Sequence, residues 1–456
     1  MRIILAVIIL GTPFFAAGQI EQFSVRELRE DLAFLKMSIE KFNPALYQYN
    51  HKAEFDRLFD EIYQSIDEPL TRLEFFKAVS LLTAGAKEGH FVIGSVHNKV
   101  SKIYSGFFDG TFQYLPLGLT FLDNRAYISG SHRADSTLQK GWEVLEINGE
   151  KMGRIIERLL PFIPADGDIL TAKYYKLNTN FPVLYYWYID QPANFKLKVL
   201  PTGSSSPFTV NISATNHMAM TNRPEEGIDD EYEPKKDIDE FYELKLEQDL
   251  AVLKLKSFNH QLIEKYRIDP GEFYKSIFRK LADKNIKNLI LDLRDNGGGS
   301  REFVRQLVPY LLKGKEEGML YQTVSYFGQM KKYPIPKPKP YAFKGKLYVL
   351  INGGSFSNGS VIARFAKEFA DATIIGEESG SRYEGFATGS AAYVNLPNTL
   401  IEIHIPRYWI KYGHQSRQNT SNRGVLPHYS IHYSIDEILN RKDKEIEKAR
   451  ALITGS

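Results

Sequence analysis

The sequence predicts a multidomain chain that combines α/β and α+β architecture, and three observations predict it. Residues 20–95 place apolar side chains at helical spacing. Residues from about 115 to 212 hold short strand-like runs separated by turn residues. From residue 244 onward, strand-like and helix-like stretches alternate, the pattern of a sheet covered by helices. At 456 residues, the chain has room for about three domains.

The N-terminus reads as a signal peptide over residues 1–18. Arg2 is followed by the apolar stretch Ile3 to Phe15, then by small Ala16, Ala17 and Gly18 before Gln19. The apolar run falls short of the roughly 18–20 residues of a membrane span. No cysteine follows it to carry a lipid. The expectation is an exported chain starting near Gln19, in the periplasm or outside the cell, with no transmembrane helix once mature. A buried first strand is the other reading of the same stretch.

An N-terminal helical module is expected over residues 19–105. Ser24 and Glu27 form a capping box, and Leu28, Leu32, Leu35, Ile39 and Phe42 follow at helical spacing until Asn43-Pro44. Phe55, Leu58, Phe59 and Ile62 mark a second helix, and Leu73, Phe76, Val79 and Leu82 a third. The module carries Lys87-Glu88-Gly89-His90. Residues 110–215 form a small α+β module, with strands at 117–121, 126–128 and 142–147, turns at Asp123-Asn124 and Asn148-Gly149, a helix from Met152 to Leu160, and strands at 195–200 and 208–212. Residues 216–243 read as a polar linker. Ten acidic residues lie between Glu225 and Glu243, a run that is ordinarily just solvated. The third region, 244–456, alternates strands at 250–255, 288–293, 347–351 and 372–375 with helices at 273–282, 303–312 and 361–370. A capping box at Ser434 and Glu437 opens a charged C-terminal helix.

Composition removes several function classes. The net charge of +3 gives no support to nucleic-acid binding, which shows a clustered basic face. With no cysteine, there is no disulfide, thiolate metal site or cysteine nucleophile.

Two glycine-rich turns carry the chemistry. The run Ile290-Leu291-Asp292-Leu293-Arg294-Asp295-Asn296-Gly297-Gly298-Gly299-Ser300 ends a strand and opens a helix. Consecutive glycines let backbone N–H groups approach a ligand closely, as in an anion cradle or an oxyanion hole. The second run, Asn352-Gly353-Gly354-Ser355-Phe356-Ser357-Asn358-Gly359-Ser360, also sits between strand and helix. A serine in such a turn is exposed at the positive end of a helix. Taken locally, it could equally be a helix cap. Neither turn has the spacing of a phosphate loop.

Together, Asp292-Leu293-Arg294-x-Asn296-x-Gly298-Gly299, Gly354-Ser355-Phe356-Ser357 and Thr373-Ile374-Ile375-Gly376-Glu377-Glu378-Ser379-Gly380 resemble the C-terminal-processing, or tail-specific, serine peptidases. The resemblance covers most of residues 80–430. It implies a crotonase-like (ClpP/crotonase) α/β catalytic core over 244–456, carrying a PDZ-like domain over 110–215. Leu117, Gly118 and Leu119 would lie at the peptide-binding loop of that domain, and Gly141 to Gly149 is its best-matching stretch.

The same resemblance puts the nucleophile at Ser357, with an oxyanion hole from the Asn358 N–H and one N–H of Gly297 or Gly298. In the tail-specific branch the base is a lysine, where this chain has Arg382. An arginine stays charged and cannot take the serine proton. His90 stands where the tricorn-like branch carries its catalytic histidine, and an imidazole suits the task. That branch orients the ring with a glutamate near the C-terminus, but residues 403–425 contain no Asp or Glu. Glu384 is the candidate for the role, with Glu377 and Glu378 nearby. His428 stands where Gly-Val-x-Pro-Asp would have its aspartate. Asp292 and Arg294 are expected to be scaffold for the glycine turn.

The function expected is an exported serine endopeptidase that acts on peptides or proteins through an acyl-enzyme, with no metal or organic cofactor. The alternative is a catalytically inactive peptide-binding or scaffold protein on the same fold. The distance between Ser357 and His90 separates the two.

Overall fold

In the computed structural model, residues 21–93, 112–131, 137–216, 241–314, 317–412 and 422–455 are described. The expected signal peptide and most of the expected acidic linker lie outside these residues. No helix among the described residues is long and apolar enough to cross a membrane.

The N-terminal helices form where the caps predict. Ser24 and Thr71 each make a complete capping box, ahead of the helices Val25–Phe42 and Arg72–Gly85, and Asn43 ends the first of these. Lys52–Ser65 lies between them. Their apolar stripes pack into a core that continues without a break into the next module. There, Phe208–Ser213, Asn194–Leu200, Glu143–Ile147, Arg125–Ser131 and Leu117–Leu122 lie side by side in that order. The two N-terminal modules, distinct in sequence texture, thus share one hydrophobic interior. Val394, Ile401, Ile403 and Ile405 of the C-terminal region also enter it.

One long helix, Leu170–Tyr188, has no counterpart in the sequence reading. It packs on the Leu117–Leu122 strand and bends at Asn180, just before Pro182. Its apolar and aromatic residues are spread around the whole circumference, so no stripe announces it.

The C-terminal region is built on a six-stranded sheet. Leu250–Leu255, Asn288–Asp292, Lys346–Ile351, Thr373–Gly376 and Tyr429–Ser430 run parallel, in that order. Tyr242–Leu246 adds an antiparallel edge, beginning in the last two residues of the stretch expected to be linker. All five residues of Asn288–Asp292 are buried, as a central strand covered on both faces requires. Helices Pro270–Asp283, Arg301–Leu311 and Asn358–Phe369 supply much of that cover.

A second, antiparallel sheet runs Met330–Pro334, Met319–Ser325, Glu402–Tyr412, Gly385–Asn395. The short strand Val92–Ile93 joins it, with Val92 opposite His404 and Ile93 opposite Ile403. This pairing carries His90, two residues earlier, from the N-terminal module to the catalytic region.

A buried ion pair holds the same junction. Arg382 donates to Glu88 Oε1 at 3.1 Å, to Lys87 O at 2.6 Å and to Gly385 O at 3.4 Å. Ala387 N–H donates to Glu88 Oε2 at 2.9 Å, and the guanidinium lies 3.9 Å from the Tyr49 ring centre. Burial pushes the Glu88 carboxyl up to about 7, against the pull of Arg382. Replacing one partner strands the other charge in a low-dielectric interior. Arg382→Leu is expected to lower unfolding stability by about 3–5 kcal/mol in urea titration. A loss below about 1 kcal/mol would show that the pair does not hold the junction.

Candidate active site

The site lies where two neighbouring parallel strands end. Asp292 pairs in register with Leu350, so the turns that follow Asn288–Asp292 and Lys346–Ile351 leave the sheet side by side. Open parallel sheets place their chemistry at this edge.

Two asparagines stitch the turns together. Asn296 donates to Leu255 O at 2.8 Å and accepts from Gly298 N–H at 2.9 Å, while its carbonyl accepts from Phe356 N–H at 3.0 Å. Asn352 accepts from Asp295 N–H and Gly354 N–H, both at 3.0 Å, and donates to Asp295 at 2.8 Å. Asp292 grips the Arg294 guanidinium, which reaches on to Asp443 and Glu445. Asp292 and Arg294 are therefore scaffold, as expected.

The three serines of the second turn have different fates. Ser355 Oγ donates to Leu293 O at 2.8 Å and accepts from Asn352 N–H at 3.0 Å. Ser360 Oγ shares a hydrogen bond with Ser379 Oγ at 2.6 Å. Both are buried and engaged. Ser357 caps the helix Asn358–Phe369 with φ +50° and ψ −123°, a strained backbone for a residue with a Cβ. Its N–H donates to Ser381 Oγ at 2.7 Å, and its hydroxyl faces a cleft of about 490 Å³.

Gly298 has φ +87°, and a Cβ there would sit 2.7 Å from Asn358 N and 2.7 Å from Ser357 Cβ. Only a glycine lets the first turn come this close to the second. Asn358 begins the helix, so its N–H has no partner in the helix's own ladder. The Gly298 N–H is engaged by Asn296, which favours Gly297 among the two glycines named for the second donor.

His90 comes to this corner. Its ring lies 4.5 Å from the centre of Phe356, the residue before Ser357, and stacks on Phe386 at 5.2 Å and 9°. Both ring nitrogens are buried and, among the described residues, without a hydrogen-bond partner. No hydrogen bond joins the ring to Ser357. Burial pushes the imidazole down to about 4, with Asp166 pulling it up and Lys176 pushing it further down.

No hydrogen bond joins Glu384 to the ring, and the charges that bear on the ring are those of Asp166 and Lys176. Glu378 is engaged by Arg423 and by Gly424 N–H. His428 takes the Ile374 N–H at 2.9 Å, so it supports a strand rather than the site. Leu117 and Leu119 bury their side chains in the core, and Phe121 N–H on the same edge strand is taken by Asn178. That stretch offers a ligand little beyond its backbone.

Two residues that sequence reasoning missed complete the corner. Asp166 is fully buried and accepts from Gly89 N–H at 2.6 Å and Arg382 N–H at 3.3 Å. Lys176 donates to Pro164 O at 2.6 Å, lies 5.9 Å from the Phe356 ring centre, and is pushed down by burial to about 8. Both are single charged residues around the undetected helix, with no motif to mark them.

A serine on a strained strand-to-helix turn, set against a glycine turn on an α/β sheet, is an arrangement that also places nucleophilic serines on sharp elbows. Residues 249–431 match peptidase family S41, and the domain they form belongs to that family, the C-terminal-processing serine-type peptidases. Among solved structures, mature CPAF complexed with lactacystin is 14% identical, with a TM-score of 0.68 over 94% of this chain and 98% of that one. Another structure of mature CPAF is 14% identical, with a TM-score of 0.65 over 94% and 96%. The photosystem II D1 C-terminal processing protease is 13% identical, with a TM-score of 0.43 over 89% and 93%. At these identities the CPAF likeness is one of fold. No curated protein matches the sequence.

The geometry predicts two outcomes. Gly298→Ala adds a methyl group against the Asn358 backbone, so hydrolysis of a reporter peptide is expected to fall at least about 100-fold. A tenfold loss or less would mean that the two turns can part. The second outcome follows from the lowered His90 pKa. The neutral ring that can accept a proton persists well below pH 6.5, so the acid limb of kcat/KM should have its midpoint between about 4 and 6.5. The same ring contributes stability fully above pH 6.5. That contribution declines as pH falls towards 4, because the unfolded chain takes a proton that the folded chain refuses. An acid limb above 6.5 contradicts this environment for the base.

Proposed function

We propose that this chain is an exported serine endopeptidase in which Ser357 is the nucleophile and His90 the general base. The observation that carries the reading is the state of Ser357. It alone of the three serines in its turn presents an unengaged hydroxyl to a cleft, on a backbone held at φ +50°. Such strain, of order 1–3 kcal/mol, persists where the surroundings over-determine it.

The steps follow from the neighbours. Ser357 Oγ attacks a peptide carbonyl carbon as His90 takes its proton. The carbonyl oxygen gains charge between the Asn358 and Gly297 N–H groups, each worth roughly 3–4 kcal/mol in the transition state. The C–N bond breaks as His90 passes the proton to the leaving amine. Water, activated by the same ring, then hydrolyses the acyl-enzyme. Asp166 is the carboxylate whose charge bears on the ring, and it replaces Glu384 as the group that favours the imidazolium. The missing Ser357–His90 hydrogen bond fits an unliganded site, where such bonds tighten only with substrate.

The parallel sheet with its second antiparallel sheet supports a crotonase-like core. The small sheet flanked by Leu170–Tyr188 supports a PDZ-like module. The short apolar stretch near residue 1 supports export.

Ser357→Ala is expected to abolish labelling by a fluorophosphonate probe and all cleavage of a peptide library, while the melting temperature stays within a few degrees of wild type. Equal cleavage by wild type and variant would overturn the assignment.

A further inference from the structure

We infer that the cleft beside Ser357 selects peptides with an acidic side chain within about two residues of the scissile bond. This rests on the reading of Ser357 as nucleophile and names the substrate class of that site.

The cleft that holds Ser357 and Asn358 is also lined by Arg301, Arg305 and Lys331, with Glu302 as its one acidic residue. Glu302 is already engaged, bonded to Arg305 at 2.9 Å and to Gln306 at 2.6 Å. Among the described residues, neither Arg301 nor Lys331 has a carboxylate partner. Lys331 lies 5.2 Å from the Tyr333 ring centre, and Arg301 bears on Tyr321. Two positive charges therefore face the cleft without a counter-ion. The helix Arg301–Leu311 also opens here, and its positive end adds to the same field.

The rest of the lining is uncharged. Phe386 and Ile410 give it an apolar surface, and Thr388, Gly389 and Ser390 a small, polar one. The cations come from two elements, Arg301 and Arg305 from the helix and Lys331 from the edge strand of the antiparallel sheet, so a peptide in the cleft meets positive charge from both. A volume of about 490 Å³ is roughly 8 Å across. An extended chain advances about 3.3 Å per residue, so the cations reach two residues or so from the reacting carbonyl. Arginine and lysine at a partly enclosed site attract a carboxylate more strongly than exposed ones do, and salt weakens the attraction.

A carboxylate could come from an Asp or Glu side chain or from a free C-terminus. The test scans a neutral reporter peptide with Asp at each position near the cleaved bond, against Asn at the same position, with the C-terminus either free or amidated. The wild-type protein is expected to cleave the best Asp peptide at least tenfold faster in kcat/KM than its Asn counterpart. That ratio should shrink in high salt and survive amidation. Lys331→Gln, at an exposed edge-strand position, and Arg301→Gln should each cut the Asp-to-Asn ratio severalfold.

Binding separates the two readings. The Ser357→Ala protein should hold the labelled Asp peptide more tightly than the Asn peptide, whatever the catalytic outcome. Acid-selective binding without Ser357-dependent cleavage sinks the nucleophile and keeps the subsite. Cleavage and binding both indifferent to Asp overturn the subsite. A preference that disappears on amidation assigns the cations to a C-terminal carboxylate and overturns the side-chain form.

Discussion

Everything at the site depends on the contact between two backbone turns, Gly298 against Ser357-Asn358. No side chain fits between them, since a Cβ at Gly298 would lie 2.7 Å from Asn358 N. The contact exists because two parallel strands in register end together. It persists because the Asn296 carbonyl and the Asn352 side chain bond across the gap, to Phe356 N–H and to Asp295. A loosening of a few tenths of an ångström here would move the proposed nucleophile Ser357 relative to the Asn358 and Gly297 N–H groups. Preorganisation of this kind is what electrostatic stabilisation of an oxyanion requires.

The proposed base reaches this contact by a different route. His90 belongs to the N-terminal module and arrives through a strand of two residues, Val92–Ile93, on the second sheet. Glu88–Arg382 and Asp166 then fix the backbone on either side of it. Arg382 therefore has a clear task. It stands where a relative of the tail-specific branch would hold a lysine base, and its fixed positive charge anchors the histidine segment instead.

Much of the α/β region was legible in the sequence because its signals are local. Leu250–Leu255 and Asn288–Asp292 are continuous apolar runs, and the boxes at Ser24 and Ser434 mark helix starts to the residue. The turn carrying Ser357 was legible for the same reason, as glycines and serines between strand and helix. Three things were not. The helix Leu170–Tyr188 lacks an apolar stripe and contains Pro182. The antiparallel strands Gly385–Asn395 and Glu402–Tyr412 are joined by a tight turn at 397–399, and its Pro397-Asn398 signal was there to be read, but the flanking strands mix polar and apolar residues without a clean alternation. Asp166 acts on His90 from 76 positions away in sequence, through burial that only the folded chain creates. Glu384 is preferred in the sequence over Glu377 and Glu378, which the Gly-Glu turn can claim for structure, but sequence distance says little about which carboxylate acts on a ring.

The central claim is that Ser357, His90 and the two turns form one reacting centre. The most direct measurement is a crystal structure of the protein trapped with a peptidyl diphenyl phosphonate, which mimics the tetrahedral intermediate. The account predicts phosphorus bonded to Ser357 Oγ and a phosphonyl oxygen within about 3.1 Å of the Asn358 N–H and a glycine N–H of the first turn. It also predicts a His90 ring nitrogen within about 3.2 Å of the Ser357 oxygen. A phosphonate on another residue, or a His90 ring that stays more than about 8 Å from the adduct, would contradict it.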